Sequence, residues 1–118
     1  MKILSGLVAA LLLATASMSA LAHHGWSSYD GEVELTLTGT VVSAVFEWPH
    51  AELVINTGEK RWTVVLAPPT RTRNRGLLPE RVPEGTEVTV VGHPHRTIED
   101  EIRVERVMVG DETFEMRR

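Results

Sequence analysis

Five histidines are the residues of this sequence whose type and placement point to chemistry: His23, His24, His50, His93 and His95. Imidazole is the commonest metal ligand in proteins, and nitrogen ligands without sulfur favour Cu(II), Ni(II) or Zn(II) over calcium or magnesium. The chain has no cysteine, which excludes a thiolate metal site, a disulfide scaffold and a cysteine nucleophile. The histidines therefore predict a divalent metal site. Copper is favoured by intrinsic affinity, with zinc or no metal as the alternatives.

The first 22 residues differ in composition from the rest of the chain. Lys2 is the only charge before His23, and small residues at Ala20 and Ala22 form a signal-peptidase cleavage pattern. The apolar run is short for a bilayer span of ~20 residues, although an uncleaved membrane anchor is the alternative. We predict a signal peptide over residues 1–22, a single domain over 23–118, and a periplasmic or secreted protein that is not held in a membrane after cleavage.

Cleavage after Ala22 would create a chelating terminus. His23 would carry a free α-amine beside its own imidazole, and His24 would add a neighbouring ring. The alternative is a solvated chain end with no ligand. Residues 25–31 can fold back over the domain if Trp26 or Tyr29 packs on it, which would hold this pair near His50 and His93.

The residues after the predicted cleavage site show the period-2 alternation of β-strands. We expect strands around 33–46, 53–55, 62–66, 88–90 and 102–109, and a short helix within 70–78 that ends near Gly76. The apolar residues change from odd to even positions after Gly39, and this phase of the alternation slips again near Glu105 and Arg106. Such slips indicate bulges or bends. The order of elements predicts an all-β domain with one short helix, a five-stranded OB-like Greek-key barrel.

This fold would place two groups of histidines on one side of the barrel. His50 follows the first strand, while His93 and His95 flank Pro94 after the fourth. The first-to-second and fourth-to-fifth strand connections flank the usual ligand face of an OB fold, so these histidines become candidate site residues. Loop polarity or local hydrogen bonding is the alternative explanation for each of the three.

Several short motifs resemble an uncharacterised family of small exported bacterial proteins. The resemblance rests on the Ala-His-His-Gly-Trp sequence at 22–26, Tyr-Asp at 29–30, Gly-Thr-Val at 39–41, Trp-Pro-His-Ala at 48–51, Gly-His-Pro at 92–94 and Val-Gly-Asp at 109–111. Gly25 and Trp26 stand where Ser-Phe is usual in that family. The resemblance implies a periplasmic location and a small β-barrel-like domain, and it implies no activity.

Charge and motif content narrow the classes of function. The net charge of −4 argues against nucleic-acid binding through a general field. No nucleophile elbow, phosphate-binding loop or dinucleotide fingerprint is present, so an enzyme is the least supported class. Two readings remain: an exported metal-binding protein, or a module that binds a small periplasmic ligand or a protein partner without metal.

Overall fold

The computed structural model describes residues 25–117, which form six β-strands and one short α-helix. The strands are β1 (Leu35–Val45), β2 (Glu52–Asn56), β3 (Arg61–Val65), β4 (Glu87–Pro94), β5 (Glu101–Val109) and β6 (Glu112–Glu115). Helix α1 (Pro69–Asn74) lies between β3 and β4, and single 3-10 turns occur at Trp26–Ser28 and Pro79–Arg81. The predicted signal peptide and the pair His23 and His24 lie outside the described residues.

Strands β1 to β5 close into a barrel. Antiparallel pairings join β1 to β2, β2 to β3, β1 to β4 and β4 to β5. A parallel pairing of β3 with β5 closes the ring. This mixed topology is that of an OB fold, and the predicted OB-like barrel is therefore confirmed.

Two bulges bend the strands where the apolar phase of the sequence slips. The pairing of β1 with β2 shifts register between Val41 and Ser43. In β5, Glu105 is inserted between the partners of Val91 and Gly92. A bulge adds a residue to one strand and increases its local twist, which closure of a small barrel requires. Both predicted phase slips are thus confirmed as bulges.

The barrel interior is filled by branched aliphatic side chains. Leu53, Ile55, Val64, Val90 and Ile102 are all fully buried. Phe114 and Met116, from β6 and the residue following it, join the same core cluster. The prediction lacked β6, because only one residue of this four-residue strand is buried and no alternation signals it.

Strand β4 is longer than the sequence indicates. Alternation predicts an end at Gly92, with His93 in a loop, but the strand continues to Pro94 and His93 is only 7% exposed. The expectation that His93 follows the fourth strand is therefore wrong. The reason is tertiary, since Trp26 covers this part of the strand, with its ring centroid 6.1 Å from that of His93.

The N-terminal segment (residues 25–31) lies along the connection between β4 and β5. Tyr29 forms a β-bridge with His95, and the backbone N–H of Asp30 donates to the carbonyl of Pro94 at 2.9 Å. Arg96 in turn donates its backbone N–H to the carbonyl of Ser28. Tyr29 is 8% exposed, so the predicted packing of this segment on the barrel is confirmed. Among residues 25–117, no helix is long and apolar enough to cross a membrane.

Candidate functional site

A cleft of about 280 Å³ lies where three parts of the chain meet on the outer surface of the barrel. They are the N-terminal segment, the β1–β2 connection and the β4–β5 region. The polar residues that line it are Ser28, Tyr29, His50, His95, Glu101 and Arg103. Pro49, Val65, Ile98 and Gly25 complete the lining. The two strand connections involved are those that flank the ligand face of OB folds.

Arg103 is the charged side chain of the cleft with the least exposure, at 9%. Its neighbours on β5, Ile102 and Val104, point into the core, so Arg103 lies on the outer face of the strand. Aromatic rings of the N-terminal segment cover it there. The guanidinium carbon lies 4.4 Å from the ring centroid of Trp26 and 5.9 Å from that of Tyr29.

The positive charge of Arg103 has no carboxylate counterpart among residues 25–117. Within residues 25–117, no ion pair includes Arg103, and its one hydrogen bond runs from Nη2 to Nε2 of His50 at 3.4 Å. Burial of an ion costs several kcal/mol even after relaxation, whereas two cation–π contacts return about 1–3 kcal/mol. The environment of Arg103 is consequently suited to an added anion.

His50 is held in its neutral form beside this arginine. Burial lowers the pKa of His50 below its ordinary 6.5, and the positive charges of Arg103 and Arg71 lower it further. Because Arg103 donates to Nε2, this nitrogen acts as an acceptor, and His50 contributes no charge that would offset the guanidinium.

Glu101 forms an acidic wall on another side of the cleft. Its Oε2 accepts a 2.7 Å hydrogen bond from the hydroxyl of Tyr29, and burial together with this bond raises the pKa of Tyr29. Glu52 lies near enough for the charge of Glu101 to add to the effect of burial, and both raise the pKa of Glu52.

His95 shapes the β4–β5 connection. Its Nδ1 accepts the backbone N–H of Thr97 at 3.1 Å and that of Ile98 at 2.9 Å. The neutral ring therefore carries its proton on Nε2, which lies 3.9 Å from Oε2 of Glu101. One ring nitrogen of His95 thus accepts hydrogen bonds from the loop backbone, and the other faces the carboxylate of Glu101.

His93 lies in a separate polar cluster beneath Trp26. Its Nδ1 is 2.8 Å from the carbonyl oxygen of Val33, and its Nε2 is 3.3 Å from Oε1 of Glu105. Arg117 donates to the same carboxylate at 2.6 Å and stacks on Trp26, with its guanidinium carbon 4.6 Å from the ring centroid. The hydrogen bond from Arg117, with a smaller contribution from His93, lowers the pKa of Glu105.

The predicted histidines are thus divided between two places. His50 and His95 line the cleft, whereas His93 has both ring nitrogens engaged outside its lining. Within residues 25–117, no group of three or more histidine, aspartate or glutamate side chains is arranged to hold a metal ion.

Two residues of the cleft escaped prediction from the sequence. Arg103 alternates with buried neighbours and so resembles any solvent-facing strand residue, and Glu101 belongs to an acidic run typical of a solvated turn. Tyr29 and Trp26 were identified as packing residues but without their contacts to Arg103. These contacts form only when residues 25–31 fold over the barrel, so the sequence alone does not predict them.

Comparisons with known proteins support the barrel fold and identify the family of the chain. Among solved structures, a chain in the crystal structure of a complex of TiaS with an isoleucine tRNA and ATP is similar, with a TM-score of 0.52 and 19% identity. The match covers 69% of this chain and 19% of that chain, and at this identity it shows the fold alone. A search of curated proteins found no match.

The fold defines the protein as a small OB-like β-barrel domain. Residues 10–101 match the model of a family described as a family of unknown function, DUF6152. The match spans more than half of the chain, and the protein belongs to this family. The resemblance to an uncharacterised family is thereby confirmed.

Proposed function

We propose that this protein is an exported small-molecule binding module whose ligand occupies the cleft between the N-terminal segment and the β1–β2 and β4–β5 connections. Export rests on the signal-peptide pattern of residues 1–22. A protein of this class has no need of catalytic groups, only of a concave site with a few oriented polar side chains.

One observation carries the proposal: a buried cation, which has no carboxylate partner in the part of the chain that the structure describes, lines a cleft with partly apolar walls. Arg103 is held by aromatic contacts, and Pro49, Val65 and Ile98 supply apolar surface beside it. Small-molecule sites combine such apolar walls with a few placed polar groups. The volume of about 280 Å³ suits a small metabolite rather than a macromolecule.

The proposal is tested by mapping ligand contacts on the folded chain. Isotope-labelled protein, obtained by expressing the complete chain, is titrated with small carboxylic acids, amides, amines and monosaccharides while amide resonances are recorded. We expect at least one class to shift the resonances of Gly25, Tyr29, His50 and Glu101 together. Absence of such shifts with every compound at millimolar concentration would contradict the proposal.

A second candidate function is copper binding at the predicted mature terminus. Gly25 lines the cleft beside His50, and His24 is bonded directly to Gly25. The α-amine and ring of His23, with His24, supply nitrogen ligands that Cu(II) prefers. The guanidinium 3.4 Å from Nε2 of His50 disfavours a cation at that nitrogen, so this hypothesis places the ion on the terminal pair.

Copper binding is tested by titrating the processed protein with Cu(II), beside a variant that carries one extra residue before His23. The α-amine is a ligand only at the native terminus, so we expect the extension to weaken binding by about tenfold or more. Ligation also requires neutral imidazole, and affinity should fall as pH drops through about 6.5. Equal affinity of the two proteins would rule out the amine as a ligand.

A further inference from the structure

We infer that the cleft recognises a small carboxylate that carries an apolar body, and that the guanidinium of Arg103 is its anion receptor. This inference rests on the proposed function and names the class of ligand. It concerns a carboxylate-bearing molecule small enough to be enclosed by the cleft.

The first step is the charge state of the site. Arg103 keeps its proton at any physiological pH, so the cleft always presents a positive charge there. Within the described residues, His50 is its one hydrogen-bond partner, and that bond takes up a single donor of the five on a guanidinium. Every fully buried side-chain nitrogen or oxygen in residues 25–117 has a partner, so any donor of Arg103 without one keeps some solvent exposure, and Arg103 lines the cleft.

The second step is the geometry of the receptor. Trp26 and Tyr29 contact the guanidinium through their rings, which leaves donors at its edge for an in-plane acceptor. A carboxylate matches this planar fork with two parallel hydrogen bonds. Aromatic contact also fixes the orientation of the arginine before the ligand arrives, which reduces the entropy lost on binding.

The acidic residue of the cleft, Glu101, does not serve as the counterion of Arg103. The carboxylate of Glu101 accepts from the hydroxyl of Tyr29 and faces His95, and it forms no ion pair with Arg103. The cleft therefore has a cationic side and an acidic side that are kept apart. A ligand with one carboxylate is directed to the Arg103 side, while a second anionic group would meet Glu101.

The apolar residues of the cleft favour a ligand whose remaining part is apolar. Pro49 and Val65 border the cleft, and the side chain of Ile98 is 52% exposed at its edge. Covering apolar surface contributes to affinity in proportion to the area removed from water. An inorganic anion could accept hydrogen bonds from Arg103, but it would cover none of this apolar surface and would therefore bind more weakly.

The inference is tested with benzoate as the probe, benzamide as its neutral isostere and inorganic phosphate as the anion without an apolar body. Affinities are measured by calorimetry and by amide shifts on the full chain. We expect benzoate to shift the cleft resonances and to bind at least about tenfold more tightly than benzamide or phosphate. Benzamide or phosphate binding as tightly as benzoate would overturn the inference, and this comparison needs no variant.

Two variants then assign the role to Arg103. Arg103→Gln removes the charge, and we expect about a tenfold or greater loss of benzoate affinity with little change for benzamide. Arg106→Gln on the same strand is the matched control, since Arg106 pairs with Glu115 outside the cleft, and its benzoate affinity should stay within about twofold. Unchanged benzoate affinity in a folded Arg103→Gln protein would overturn the assignment.

The outcomes separate this inference from the proposed function. If amides or monosaccharides shift the cleft resonances and benzoate does not, the cleft binds ligands but the carboxylate class is wrong. If no compound of any class shifts them, both the proposed function and the inference fail.

Discussion

At the residue scale, Arg103 influences the protonation of His50. The guanidinium donates to the imidazole, and its charge is one of the causes that keep the histidine neutral. Burial is the larger cause. An anion bound at Arg103 would remove part of this repulsion, so the protonation of His50 is a reporter of the site.

The pKa of His50 can be measured directly by following its ring resonances with pH. We expect a midpoint below 6.5 in the native chain and a partial return toward 6.5 in Arg103→Gln, because burial persists in the variant. Since the unfolded chain takes up this proton first, His50 makes the folded state less stable as pH falls below about 6.5. A native midpoint at or above 6.5 would contradict this environment.

Glu105 provides a second pH dependence with a different origin. Its pKa is lowered mainly by Arg117, so its stabilising effect is present above the ordinary value of 4.5 and is lost as pH falls below it. We expect Glu105→Gln to reduce the free energy of unfolding by about 1 kcal/mol at neutral pH, and the difference to shrink as pH falls below 4.5. Urea unfolding across this range measures both quantities.

The control for Glu105 is Glu115→Gln, which removes an exposed ion pair with Arg106. We expect its effect to stay within about 0.5 kcal/mol at every pH. Equal losses in the two variants would mean that the contacts of Glu105 with Arg117 and His93 add no stability.

At this scale the sequence predicts residue types better than residue environments. The histidines of the two connections were identified, and His50 and His95 do line the cleft. Arg103 was not identified, because alternation along β5 assigns it to an outer face that is normally solvated. Its burial arises when residues 25–31 fold over that face, a contact between segments over 70 positions apart that no local pattern encodes.

At the scale of elements, the strand β4 depends on a close approach of backbones at Gly92. A Cβ atom built there would lie 2.2 Å from the carbonyl oxygen of Arg103 and 2.6 Å from the Cα of Val104. No side chain can be accommodated without displacing β5 next to its bulge. The same glycine thus fixes the path of the strand that carries Arg103.

Substitution of Gly92 by alanine tests this coupling. We expect Gly92→Ala to lower the free energy of unfolding by about 2–3 kcal/mol, since a backbone clash forces the strands apart. Gly31→Ala is the matched control, because a Cβ there meets no atom within 4 Å, and its effect should stay within about 0.5 kcal/mol. Urea unfolding of both proteins distinguishes them, and equal stability would contradict the role of Gly92.

The elements themselves were largely predictable. The phase slips of β1 and β5 follow from side-chain alternation, which is a local signal of a bulge. The sequence does not predict the end of β4, because His93 is buried by the distant Trp26, nor β6, because only one residue of that strand is buried. Helix α1 ends at Asn74, two residues before Gly76, near which the sequence predicts its end, and Gly76 adopts a left-handed conformation with φ of 98°.

For the whole molecule, the barrel acts as a rigid support for a site assembled on its outer surface. The closing pair β3 and β5 carries Val65 and Arg103 into register with each other. Two strand connections and the N-terminal segment then surround this point. An acidic protein in this way presents a local cationic site, which net charge alone would not reveal.

A crystal structure of the full chain grown with benzoate tests whether this cleft is the binding site. We expect the carboxylate of benzoate to lie about 2.7–2.9 Å from the guanidinium nitrogens of Arg103. Its ring should rest against Pro49, Val65 and Ile98. Benzoate ordered elsewhere on the protein, with Arg103 contacting only solvent, would contradict the claim.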